Sequence, residues 1–139
     1  MSCLSVQTQI LPLCEATPLW CGRRRRRRSS RGAAQRLCDA ALVATAAAFA
    51  VPVGELIASS RRSCTAAFAR QSAMYLAHVS FGLSFSEIGR AFGRDRTTAA
   101  HACRLIEDRR DDPAVDAVLG QLESACTALR RRMNPAVQS

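Results

Sequence analysis

The sequence contains no lysine; all twenty of its basic residues are arginines. No stretch resembles G-x-x-x-x-G-K-[ST], and no lysine exists to grip a nucleotide phosphate, so ATP hydrolysis by that route is excluded. No two of the seven cysteines (Cys3, Cys14, Cys21, Cys38, Cys64, Cys103, Cys126) are spaced as C-x-x-C, and their number is odd. That speaks against a disulfide framework or a zinc site and for reduced thiols in a cytosolic protein. His101 and Cys103 stand at alternate positions of a helical stretch, where side chains diverge, and no third ligand lies nearby in sequence. No metal or other cofactor is expected.

Long hydrophobic runs are also lacking. Residues 38–53, "CDAALVATAAAFAVPV", are apolar but short of the ~20 residues that span a bilayer, and they contain Asp39 and Pro52. A buried core helix is expected there and no membrane partner. The first residues, "MSCLSVQTQILPLC", have no basic segment ahead of their apolar part, so no secretory signal is expected. No alternating strand pattern of useful length occurs. No paired carboxylates and no nucleophile–base set stand out, so an enzyme is not expected.

What is present is charge, unevenly placed. Residues 1–36 carry eight arginines against Glu15, a net charge of +7. Their "CGRRRRRRSSRG" cannot pack in a core, because six adjacent arginines repel one another. Residues 1–36 read as a disordered arm, either a nucleic-acid-binding tail or an inert solvated extension. Residues 37–139 carry twelve arginines against ten acids, and seven of those arginines, against two acids, fall within residues 58–104. A local basic patch on a near-neutral body points to a polyanion.

From residue 37 to 134 the periodicity predicts one all-α domain, followed by a tail at 135–139. An alanine-rich helix covers 37–50 and stops near Pro52, and "GELIAS" adds a short turn. A long helix covers 63–81 with Ala66, Ala69, Ala73, Leu76, Ala77 and Ser80 on one face, and Gly82 ends it. Ser84 and Glu87 form a capping box for a short helix, Gly93 breaks it, and Asp95 sits where the next helix needs an N-cap. Asp112 then Pro113 start the last helix. Its stripe is Val115, Val118, Leu119, Leu122, Cys126 and Leu129, and Arg130, Arg131 and Arg132 complement the dipole at its end.

A short and a longer helix joined at Gly93 outline a helix-turn-helix. At about 100° per residue, Ala99, Ala102, Cys103 and Ile106 share one side of the second helix, and Thr97, Ala100, His101 and Arg104 the other. Its N-terminal end carries Arg94, Asp95, Arg96, Thr97 and Thr98. That is the end which recognition helices present to base edges. Arginine reads guanine, a carboxylate accepts from the cytosine amino group, and threonine offers a hydroxyl or a methyl.

The motifs "ARQSAMYL" (69–76), "SFSEIGRAFG" (84–93) and "RDRTTAAHACRLIE" (94–107) strongly resemble the C-terminal DNA-binding domain of the bacterial replication initiator DnaA. The resemblance implies an all-α fold of that type, a double-stranded DNA partner and no nucleotide. By position it implies a minor-groove arginine at Arg62 with Arg61 beside it, and backbone contacts at Arg70 and Gln71. It further implies base contacts at Phe85 and Ser86, major-groove reading by Asp95, Arg96 and Thr97, and phosphate contacts at Thr98 and His101. The family pattern G-G-R-D-H-T-T is departed from twice: "FGRDRTT" has one glycine, and Arg96 replaces histidine. An altered preferred site is therefore expected. The family's ATPase domain has no counterpart in this sequence, which reads as the binding module alone, a regulator of transcription or replication initiation in the bacterial cytoplasm, at the nucleoid. The alternative is a protein-interaction module with the same fold. The sequence gives no signal for oligomeric state, and a monomer is the simplest expectation.

Overall fold

The computed structural model describes residues 31–58 and 63–133. Among them are six helices and no strand: α1 (Arg31–Phe49), α2 (Val53–Ile57), α3 (Cys64–Val79), α4 (Phe85–Ala91), α5 (Arg96–Arg109) and α6 (Pro113–Met133). The arginine run at 23–28, Arg61, Arg62 and the tail at 134–139 lie outside the described residues.

Helix α3 is the axis of the domain, and each of the other five helices packs against it. Residues 72–77 of α3 are buried without interruption. A helix covered on all sides has no solvent face, so its sequence there, "SAMYLA", carries no charge. Ser72 is satisfied within the helix, its Oγ donating to the Phe68 carbonyl at 2.9 Å, and Thr45 likewise donates to the carbonyls of Ala41 and Leu42. On one side of α3, Ala66, Ala69 and Ala73 meet Leu42 and Ala46 from α1, Val51 from the link and Leu56 from α2. The small alanines on the α3 side of this contact let the backbones approach closely. On the other side, Met74 and Leu76 share a core with Ile88, Ala102, Cys103, Ile106, Leu119 and Leu122.

Helix α1 begins at Arg31, six residues before the expected start at 37, so the expected boundary between arm and domain falls inside a helix. The cause is burial: Ala34, Cys38 and Ala41 continue one stripe at helical spacing into the core. The helix ends at Ala50, whose φ of 52° and the Val51 N–H bond to the Ala46 carbonyl make a Schellman-type stop. Pro52 follows it. Gly82, at φ 72°, turns the chain out of α3.

Helix α6 is held by a polar cross-link. Arg110 donates from Nη1 to Tyr75 Oη at 2.7 Å and to Glu123 Oε1, and from Nε to Asp116 Oδ1 at 2.6 Å. This ties the end of α5 to α3 and α6. At the start of α6, Asp112 Oδ1 accepts the Ala114 N–H at 2.9 Å, as its capping position predicts. The apolar stripe of α6 ends earlier than expected. Cys126 is buried, but Leu129 is 37% exposed, because the helix runs past the body that covers it.

Candidate nucleic-acid interface

The capping box at the head of α4 is complete. Ser84 Oγ accepts the Glu87 N–H, and Glu87 Oε2 accepts the Ser84 N–H at 2.8 Å. Ile88 drives the helix into the core, while Ser86 stays exposed. Phe85 is half-buried and stacks on His78 of α3 with ring centroids 4.4 Å apart. His78 Nδ1 lies 2.8 Å from the Leu83 carbonyl, an oxygen that can only accept, so this nitrogen carries the hydrogen. The stack fixes the α3–α4 corner.

The turn between α4 and α5 is tight. The Arg94 N–H donates to the Gly89 carbonyl at 2.7 Å. A Cβ at residue 89 would lie 2.7 Å from the Arg94 carbonyl oxygen and 3.1 Å from the Arg96 nitrogen. Gly93 makes the reversal at φ 63°. Gly89 is not legible as a site residue in the sequence, because a lone glycine inside a helical pattern carries no marker of what will lie against it.

Helix α5 then presents its two faces as its periodicity predicts. Ala99, Ala102, Cys103 and Ile106 are buried. Arg96, Thr97, Thr98, His101 and Arg104 are exposed, with Ala100 half-buried. Asp95 has the backbone of an N-cap residue, φ −74° and ψ 154°, but its side chain accepts no capping hydrogen bond. This corrects the expectation of a side-chain cap. The exposed carboxylate is instead free to accept from a ligand, next to Arg96 and the two threonines.

Arg70 is placed differently from a free surface arginine. Its Nε donates to the Leu56 carbonyl at 2.6 Å, and its Nη2 to the carbonyls of Ala58 at 2.8 Å and Glu55 at 3.3 Å. It closes the end of α2. Burial lowers its pKa, and the nearby Arg94 lowers it further, so the two guanidiniums lie within electrostatic reach. Gln71 is half-buried beside it. Arg94 and Arg96 flank Asp95 at the head of α5, and Phe85 and Ser86 stand at the head of α4.

Cys38 and Cys103 are buried thiols. Burial pushes Cys38 and Cys103 up to about 12, so both stay protonated at neutral pH. Among the described residues, no three His, Cys, Asp or Glu side chains gather to hold a metal, and no helix is long and apolar enough to cross a membrane.

Residues 39–106, from within α1 to the last turn of α5, match the family model for the bacterial DnaA protein helix-turn-helix. A solved structure described as a DNA replication initiation factor is similar in fold, with a TM-score of 0.61 and 29% sequence identity. The similarity covers 68% of this chain and 29% of that one, so the chain spans less than a third of that protein's length. With its capped α4, its glycine turn and its two-faced α5, the segment 39–106 is a helix-turn-helix domain of the bacterial DnaA C-terminal type.

Proposed function

We propose that this protein binds double-stranded DNA sequence-specifically, with the first turn of α5 in the major groove, and that it regulates replication initiation or transcription. The observation that carries the reading is the state of Asp95. A residue at the N-cap position whose carboxylate takes no backbone N–H is not explained by capping. It stands exposed with Arg96, Thr97 and Thr98 on a face where small Ala100 permits close approach. In this reading Asp95, Arg96 and Thr97 read bases, Thr98 and His101 contact phosphates, and Phe85 and Ser86 touch bases from the head of α4. Arg62 reaches the minor groove with Arg61 beside it, and Arg94 and Gln71 lie along the backbone. Arg70 adds charge to this edge while its hydrogen bonds hold α2.

Arg96 sets the preference. Arginine is permanently charged and favours guanine O6 and N7, so guanine is favoured at the base pair facing it, and the site departs from the initiator's box there. The test is anisotropy titration against a panel of single-base variants of a bound duplex. Asp95→Ala leaves the unfolding free energy within about 0.5 kcal/mol of the parent, because no cap bond is lost. It relaxes discrimination at one base step by about 1–3 kcal/mol. Arg96→His moves the preference toward the family's base. Uniform weakening of Arg96→His on every duplex instead makes Arg96 a phosphate contact, and unchanged discrimination in both variants removes α5 as the reader.

A further inference from the structure

Helix α6 lies beyond the residues matched to the family, and its charge is polarised. Its acids Asp116 and Glu123 are both engaged by Arg110 in ion pairs. About 10 Å further along, at 1.5 Å per residue, come Arg130, Arg131 and Arg132, all exposed. Arg130 donates from Nη1 to the Ser80 carbonyl at 3.2 Å. That contact pins the end of α6 to the end of α3, two residues after His78, whose ring stacks on Phe85. Arg130 thus places the arginine tip beside the corner between α3 and α4, from which α4 departs with Phe85 and Ser86 at its head.

The helix dipole accounts for one of these charges, not three. Its attraction for a cation is ~0.3–1 kcal/mol and falls off within the last turn, and Arg130 already meets it while bonding Ser80. Arg131 and Arg132, ~100° apart around the axis, have no carboxylate partner among the described residues and repel each other and Arg130. An arrangement of unpaired like charges on a rigid helix is complementary to a polyanion.

We propose that Arg131 and Arg132 form a second phosphate contact, holding the DNA backbone that flanks the sequence read by α5. This rests on the DNA-binding reading above and adds a contact outside the helix-turn-helix. The partner is the duplex phosphate backbone, because the tip is a cluster of exposed like positive charges beside the corner that leads into the helix-turn-helix.

The test measures the salt dependence of affinity for the full chain on one preferred duplex and on a random one. Each phosphate contact adds ~0.9 to the slope of log K against log salt. R131Q/R132Q, which keeps Arg130, lowers the slope by about 1–2, weakens both duplexes alike and leaves the ratio between them unchanged. For the parent, trimming the flank on one side of the preferred site lowers the slope by a similar amount, and for R131Q/R132Q trimming has no such effect. An unchanged slope in R131Q/R132Q, with the parent still binding specifically, overturns the contact. If that variant loses helical signal, the parent on trimmed duplexes decides, and a slope indifferent to trimming on either side overturns it equally. A parent that shows no preference between the duplexes contradicts the underlying reading, and that outcome is seen before any variant is made.

Discussion

The Arg94 N–H meets the Gly89 carbonyl at 2.7 Å, and the backbone of Arg94 passes so close to Gly89 that a single methyl group there would lie 2.7 Å from its carbonyl oxygen. Arg94 immediately precedes Asp95, so this contact sets where the first turn of α5 begins. The neighbour is backbone and cannot swing aside as a flexible side chain would. Gly89→Ala is expected to displace residues 94–96 and to destabilise the domain by about 1–3 kcal/mol, the usual effect of overpacking. It should reduce discrimination between preferred and random duplex more than affinity for random duplex. Thermal unfolding and paired titrations check both parts, and an unchanged melting temperature would mean that the turn accommodates the methyl without strain.

Arg70 separates a structural from a DNA-contacting role. Its three hydrogen bonds to carbonyls of residues 55, 56 and 58 close α2 onto α3. Arg70→Ala leaves those carbonyls unpaired and is expected to lower stability by about 1–3 kcal/mol. Arg70→Lys recovers only part of it, because an ammonium cannot reproduce the planar fork. Urea denaturation of the two variants, without DNA, is the measurement. Parent-like stability in Arg70→Ala would leave Arg70 with surface charge alone.

Alkaline pH should loosen the domain. Burial pushes Cys38 and Cys103 from 9.0 to about 12 and Tyr75 from 10.0 to about 12. Between pH 9 and 12 the folded chain therefore holds protons that the unfolded chain has released. Stability is full below pH 9 and falls as pH rises through that window, by at most about 1.4 kcal/mol per pH unit for each group. Unfolding midpoints in urea from pH 8 to pH 11 should decline, and Cys103→Ala should decline less steeply. Equal slopes in the two proteins would show that Cys103 ionises as easily folded as unfolded.

Much of this fold is local in origin and so was legible in the chain. Ser84 and Glu87 stand three residues apart and find each other without help from the rest of the molecule. The two faces of α5 follow from helical spacing alone, and the burial of Ala99, Ala102, Cys103 and Ile106 matches it residue by residue. The tertiary features were hidden. Arg70 bonds carbonyls 12 to 15 residues away, and Gly89 is constrained by a backbone that returns five residues later. The early start of α1 depends on Ala34 meeting a core built from distant helices. Asp95 shows the opposite error: the local signal for a cap was present, and the side chain does not use it.

The central claim is that the exposed end of α5 reads a DNA sequence. Its most direct test is selection of bound duplexes from a random library by the purified protein, in parallel with Asp95→Ala. The account predicts that the parent enriches one defined site with guanine at the pair facing Arg96, and that Asp95→Ala enriches a site degenerate at a neighbouring pair. A parent library that stays random after repeated rounds, while binding remains strong and salt-dependent, would contradict it.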